Sequence, residues 1–297
     1  TTLIKPLYYK DPENENAYKY KNEYYFGELL VCPVTQKSLY KGIAELEVWF
    51  PEGTWTDIFT GEVYYAGKNG KEMKIYRWLD TIPVFAKAGT ILPLSGDKHT
   101  NSVANPVNLE LNVFEGNGEY KLYEDDGDKK MFTVIKTEVT DGKSVTTISV
   151  TGDKSVMPDG RTITLNLKNC NGKVYSVTSD GEPVDYKTYT DEYAVVTVKN
   201  VEFGKTYVIT ADVADYNGYF EKRSLDSLKK FEYKNQDKND LYHHLCSEAY
   251  DRKVNRWVVK KGVFTPTPER VYELASLFNF PEIYIKKLIE PMLATKK

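Results

Sequence analysis

The stretch EVWFPEGTWTDIFTGE (residues 47–62), followed after a short gap by RWLDTIPVFAKAGTILPL (77–94), decides the fold. Val48 to Phe50 is a short run of strand formers. Pro51-Glu52-Gly53 reads as a turn, because proline presets φ and glycine accepts φ > 0. Trp55, Ile58 and Phe59 follow, and Thr60-Gly61 turns the chain again. Ile82, Val84 and Phe85 lead to Gly89, and Thr90 to Leu94 is a further apolar run. The stretch is dense in β hardware. It holds no nucleophile beside a base, no phosphate cradle and no metal cluster.

Three further segments carry a family resemblance together with this block. Tyr25-Phe26-Gly27-Glu28-Leu29-Leu30-Val31-Cys32-Pro33-Val34 precedes it and is similar to an F-G-x-x-L-L-V-A-P-V pattern, with Cys32 in place of alanine. Ile4-Lys5-Pro6-Leu7 resembles x-R-P-L, with lysine for arginine. Gly118-Glu119-Tyr120-Lys121-Leu122-Tyr123-Glu124-Asp125-Asp126-Gly127 follows it and resembles a Y-E-D-D-G hairpin. In this order the four segments resemble the region that closes and follows the catalytic barrel in glycoside hydrolase family 31, the α-glucosidase and α-xylosidase family. The likeness covers roughly residues 1 to 213.

That resemblance implies two β domains that lean on a barrel. It also implies that the two catalytic aspartates, a nucleophile and an acid/base, lie on barrel strands upstream of every segment seen here. Retaining chemistry needs two carboxyls about 5–5.5 Å apart. No catalytic residue carries over to this sequence, and no cofactor or metal is expected. The implied partner is the catalytic barrel portion of a parent enzyme acting on α-glucosides or α-xylosides.

Composition agrees with a folded β-rich chain. The 297 residues are 41% hydrophobic and 28% charged, and 24 are tyrosine, which suits half-buried strand surfaces. That length permits two or three domains. A whole (β/α)8 barrel alone takes about 200–250 residues of strand–helix alternation, and residues 40–213 show none. Forty basic against 43 acidic residues leave a net charge of −3, which gives no electrostatic reason to expect nucleic acid or an anionic membrane. No apolar run approaches the roughly 20 residues of a membrane-spanning helix. Cys32, Cys170 and Cys246 are odd in number and widely spaced, unlike a disulfide framework. Reduced thiols in a cytoplasmic setting are expected.

Four domains are read along the chain. Residues 1–36 resemble the end of a barrel, and 37–97 form a proximal β module. Residues 98–213 form a distal β-sandwich, because short strands separated by Asp141-Gly142, Asp159-Gly160, Asn171-Gly172 and Asp180-Gly181 recur at about 8–12-residue spacing. Residues 214–297 form a helical module. In it, Asp240 is expected to open a helix running to Lys260. Thr267-Pro268 opens a second. Pro281 opens a third, with Ile285, Leu288, Ile289 and Met292 on one stripe.

Candidate sites are few. Trp49, Trp55 and Trp78, with Tyr64 and Tyr65, offer aromatic faces on which a sugar could stack, against the alternative that they fill a core. Such a platform would bind an α-linked oligosaccharide. Glu124, Asp125, Asp126 and Asp128 offer carboxylates for a cation, against a solvated hairpin turn. His243, His244 and Cys246 share one helical turn, but no second Cys/His pair completes a tetrahedral site. The apolar stripes at 271–278 and 285–292 suggest homo-oligomer formation or protein docking through the helical tail. They serve no such purpose if they pack on the chain's own β structure.

Overall fold

A computed structural model describes residues 2–98, 104–168, 170–190, 194–213, 226–246, 248–259 and 267–296. The opening stretch is β structure throughout. Ile43–Phe50 pairs antiparallel with Lys71–Trp78, Ile43 opposite Trp78 and Phe50 opposite Lys71. Between these two strands, Gly53–Asp57 pairs antiparallel with Val63–Ala66. That hairpin belongs to a six-stranded sheet whose order is Ile4–Pro6, Tyr24–Phe26, Leu29–Val31, Val84–Lys87, Gly53–Asp57 and Val63–Ala66. The shared core holds Val48, Phe50, Trp55, Tyr64, Ile75 and Phe85. Phe50 stacks on Tyr64 and meets Phe85 edge-on, each with centroids 4.8 Å apart. The Asn69-Gly70 turn closes directly over Trp49. Gly70 sits at φ +77°, and a Cβ there would fall 2.4 Å from the indole Nε1, so only glycine fits.

The helical segments form one folding unit with these strands. One compact unit comprises residues 1–85 and 216–297, and the other residues 86–215. This differs from the expected partition in two ways. The tail is no separate module, and Ile91–Ser95 leaves the proximal region to pair with Asn108–Phe114. Ile43 and Tyr76 of the proximal hairpin share a core with Leu228, Phe231, Leu241, Val271, Leu274, Ile285 and Leu288. Apolar stripes were legible in the sequence, but the surface they cover was not.

Two of the three expected helix starts hold. Pro268–Leu277 begins at Thr267, whose Oγ1 accepts the Arg270 N–H at 3.3 Å, with Pro268 in the first turn. Glu282–Ala294 follows Pro281 and runs through Pro291. The helix expected from Asp240 to Lys260 does not form at that length. Asn235–Leu245 is helical, and the chain then turns into a hairpin of Glu248–Asp251 with Arg256–Val259. Tyr250 opposes Trp257 there, and aromatic cross-strand pairing overrides the helical spacing.

Residues 86–215 are a sandwich of two sheets. The first orders Lys187–Thr190, Ala194–Val198, Thr162–Lys168, Asn108–Phe114 and Ile91–Ser95. The second orders Gly118–Asp126, Lys129–Thr140, Lys143–Gly152, Thr206–Val213, Cys170–Ser179 and Glu182–Pro183. Leu109, Leu111, Val113, Ile163, Leu165 and Leu167 from the first meet Ile135, Ile148, Val177 and Ile209 from the second in a common core. The period-2 alternation along each strand places those side chains on the inner face.

Candidate functional site

Most of the ionisable chemistry inside the first unit sits in one buried cluster. Asp57 ends the strand Gly53–Asp57, Glu62 precedes Val63–Ala66, and Arg77 lies near the end of Lys71–Trp78. Pairing of the two hairpin strands sets Asp57 near Glu62, their ion pairs with Arg77 join the neighbouring sheet, and the last helix contributes Lys287 and Glu290. Arg77 donates from Nη2 to Asp57 Oδ2 at 2.9 Å and from Nη1 to Glu290 Oε1 at 2.9 Å. Lys287 Nζ donates to Glu62 Oε1 at 2.8 Å and to Glu290 Oε2 at 2.9 Å. The Tyr64 hydroxyl lies 2.8 Å from Glu62 Oε2 and 2.7 Å from Glu290 Oε1, and accepts from Arg77 Nη2 at 2.6 Å. The Tyr76 backbone N–H completes the set by donating to Glu290 Oε2 at 3.2 Å.

All of these side chains are buried. Three carboxylates face two cations, and every charge has at least one partner of opposite sign. Burial by itself raises the Glu62 carboxyl, but Lys287 and Arg77 outweigh it and bring it down to about 2. Burial likewise works against the Arg77 charge, and Tyr64 with the three carboxylates around it holds the guanidinium protonated. A general acid needs a pKa near the working pH and contact with a substrate. Glu62 is buried and held ionised, and the contacts of the cluster join the last helix to the strands.

A second buried carboxyl, Glu23, lies outside this cluster and has no cation beside it among the described residues. Glu23 Oε1 accepts the Trp49 N–H at 3.0 Å, while its Oε2 has no partner. Burial pushes its pKa up to about 8 against the smaller opposing pull of the Trp49 N–H and the Cys32 thiol. Cys32 itself is fully buried, and burial pushes its thiol well up. Neither group reaches solvent as a reactant.

The sequence-predicted residues fall in different places. Trp49 and Trp55 are core side chains, each 1% exposed, and Tyr64 is equally covered, so none presents a ring to a sugar. Trp78 is half-buried, with Phe231 beside it and the ammonium groups of Lys230 and Lys287 over its ring at 5.1 and 5.8 Å. The expected stacking platform is therefore not assembled. The acidic run is also split by strand alternation. Glu124 points inward and pairs with Arg161, Oε1 to Nη2 at 2.7 Å and Oε2 to Nη1 at 3.2 Å. Asp125, Asp126 and Asp128 point outward, and Asp125 accepts the Tyr123 hydroxyl at 2.8 Å. The four carboxylates do not converge on one cation. His243 bonds to Glu248 and stacks on Trp257 with centroids 4.7 Å apart, which ties the helix Asn235–Leu245 to its hairpin. Among the described residues, no group of three or more His, Cys, Asp or Glu side chains is arranged to hold a metal.

Sequence reading missed Glu23, Asp57, Glu62, Arg77, Lys287 and Glu290. A faint signal existed for the last two. They stand one turn apart in the apolar run of the last helix, where a fully solvated pair would not be expected.

An apolar edge is exposed on the same unit. Ile4 pairs with Phe26 across the first two strands, and they are 55% and 44% exposed. Leu3 beside them is 58% exposed, and Tyr9, just beyond the first strand, is 65% exposed.

Paired interior charges, a covered tail and an exposed apolar strand edge mark the first unit. Residues 1–92 match the glycosyl hydrolase family 31 C-terminal domain, and the chain resembles the C-terminal region of α-glucosidase- and α-xylosidase-type enzymes of that family. An α-xylosidase from Saccharolobus solfataricus is 36% identical over 129 residues, which is 42% of this chain and 17% of that protein. Alpha-glucosidase 2 from Bacillus thermoamyloliquefaciens is 31% identical over 129 residues, again 42% of this chain, and 15% of that protein. The matched part is thus a small fraction of either relative's length. Among solved structures, a Flavobacterium johnsoniae GH31 dextranase superposes with a TM-score of 0.59 at 21% identity, over 71% of this chain and 29% of that one. That likeness concerns the fold alone.

Proposed function

We propose that this chain is the non-catalytic C-terminal accessory region of a retaining α-glycoside hydrolase, and that it supports a catalytic barrel and the mouth of its active site. The parent would act on α-glucosides or α-xylosides. The observation that carries this reading is the uncovered apolar edge of Leu3, Ile4, Tyr9 and Phe26, on the segment that matches the family domain. Apolar side chains clustered on a strand edge call for a partner surface. The buried carboxylates add support, since Asp57, Glu62 and Glu290 are each held by a cation within the fold. A reducing compartment suits the buried thiol of Cys32.

Two measurements test the proposal. The isolated chain should not hydrolyse an aryl α-glucoside or α-xyloside. Turnover that scales with its concentration, and that a point change in this chain abolishes, would defeat the reading. Mixed with the barrel portion of its parent, the chain should form a stable complex that Ile4→Asp and Phe26→Asp weaken. Undiminished association of both variants would remove the docking edge.

The tail gives no support to oligomer formation through its apolar stripes. Val271, Leu274, Ile285, Leu288 and Ile289 are packed within the chain's own core.

A further inference from the structure

The outer face of the five-stranded sheet carries a row of polar side chains in fixed positions. Inward residues of Asn108–Phe114 and Thr162–Lys168 fill the sandwich core. Alternation therefore sends Glu110, Asn112, Thr164 and Asn166 to the other face. Parallel pairing sets Glu110 beside Thr164 and Asn112 beside Asn166. Asn166 Nδ2 donates to Glu110 Oε1 at 2.6 Å and to Asn112 Oδ1 at 3.1 Å. Thr164 shares a hydrogen bond with Thr197 at 3.2 Å. Asn112 and Asn166 are each more than nine-tenths buried, so the row is anchored from beneath. At its end, Asp97 accepts from Asn108 Nδ2 at 2.7 Å and from the backbone N–H groups of Val107 and Asn108 at 2.9 Å.

An open groove of about 540 Å³ lies along this row, lined by Gly96, Lys98, Asn108, Leu109, Glu110 and Thr164. Its volume suits a small ligand of two or three rings. Glu110 in the lining and Asp97 beside it outnumber the single ammonium of Lys98, so the groove has no positive charge to draw a phosphate or other polyanion. It offers the Asn108 amide, the Thr164 hydroxyl, the Glu110 carboxylate and the Lys98 ammonium. That mixture of donors and acceptors matches a neutral polyhydroxylated ligand. Leu94, paired with Glu110 on the neighbouring strand and 43% exposed, adds an apolar surface for C–H groups. Side chains already locked by hydrogen bonds lose little freedom on binding.

We infer that this groove is a saccharide-binding site on the distal sandwich. It takes a neutral oligosaccharide of two or three units. No aromatic side chain is among its described lining residues, so affinity sits in the millimolar range. The choice of an α-glucan probe rests on the proposed accessory role in α-glycoside hydrolysis, while the site itself rests on the groove.

Titration calorimetry of the whole chain with isomaltotriose and with maltotriose tests the inference. Saturable heat is expected at millimolar ligand for at least one of them. Thr164→Val and Lys98→Ala should each weaken binding about fivefold, the effect of one lost hydrogen bond, and Glu110→Ala should weaken it further. Thr164→Val preserves shape on a partly exposed position, so it remains informative if Glu110→Ala fails to fold. No saturable heat at tens of millimolar of either sugar overturns the inference, as does binding that all three changes leave unaltered. Either failure leaves barrel association through Ile4 and Phe26 untouched, so the two readings fail separately.

Discussion

Lys287 Nζ lies 2.8 Å from Glu62 Oε1, although 225 residues separate them in sequence. This contact ties the last helix to the proximal β hairpin, in a site where neither group meets water. Removing one partner of such a pair strands the other as a buried charge, which costs about 3–5 kcal/mol. Lys287→Met should therefore destabilise the first unit by that amount in urea unfolding. Adding Glu62→Gln should recover a large part of the loss, because it removes the stranded carboxylate. A double variant that is as unstable as the sum of the two single ones would show that the pair is not coupled.

The same cluster sets an acid limit. Glu62 has its folded pKa lowered from 4.5 to about 2. A depressed folded pKa contributes stability that is fully present above the unfolded value and fades as pH falls toward the folded one. Wild-type stability should drop between about pH 4.5 and pH 2 more steeply than that of Glu62→Gln, measured by denaturant midpoints across that range. Parallel curves for the two proteins would contradict the assignment.

Glu23 works in the opposite direction. Its folded pKa is raised from 4.5 to about 8 by burial. A raised folded pKa contributes stability below the unfolded value, and that contribution is lost as pH rises through the folded one. Stability should fall from about pH 4.5 to pH 8, with a limiting slope of about 1.4 kcal/mol per pH unit from this group. Glu23→Gln should flatten that slope even if its overall stability is lower. The slope is the readout, and a slope unchanged by the substitution would count against a neutral buried carboxyl.

Glu124 and Arg161 pin one sheet of the sandwich to the strand entry of the other. Arg161→Met should cost about 3–5 kcal/mol through the stranded Glu124 carboxylate. Millimolar Ca²⁺ should leave the melting temperature of the wild type unchanged, since the neighbouring carboxylates diverge. A clear Ca²⁺-dependent rise would restore the cation site.

Gly118 and Gly127 belong to the same hairpin but differ sharply in tolerance. A Cβ on Gly118 would sit 1.9 Å from the Gly89 carbonyl oxygen, which is backbone and has no room to yield. Gly127 has open space around it and only its φ of +64° to defend. Gly118→Ala should prevent normal folding of the sandwich, whereas Gly127→Ala should cost about 1 kcal/mol. Equal melting temperatures for the two variants would refute the close approach.

Much of the architecture was legible because it rests on local rules. The turns Asp141-Gly142, Asp159-Gly160 and Asp180-Gly181 announced a sandwich of short strands. Thr267-Pro268 announced a helix start through the capping hydroxyl and the missing proline N–H. The domain boundaries were less legible, because strands pair by register across the chain. Ile91–Ser95 adjoins the proximal module in sequence and pairs with Asn108–Phe114 in space. The helix expected through Lys260 failed for a similar reason, since Tyr250 and Trp257 meet across a hairpin.

The sequence by itself determined the β character, the resemblance to family 31 and the amphipathic faces of the last two helices, all of which follow from residue type and spacing. Only tertiary structure decided where charge and aromatic rings go. Trp49 and Trp55 look like sugar platforms in one dimension and prove to be core, because hairpin and sheet close over them. Asp57, Glu62, Arg77, Lys287 and Glu290 look like ordinary surface charges and prove to be one buried cluster. Burial and partnership depend on which distant segments meet, and no local pattern encodes that meeting.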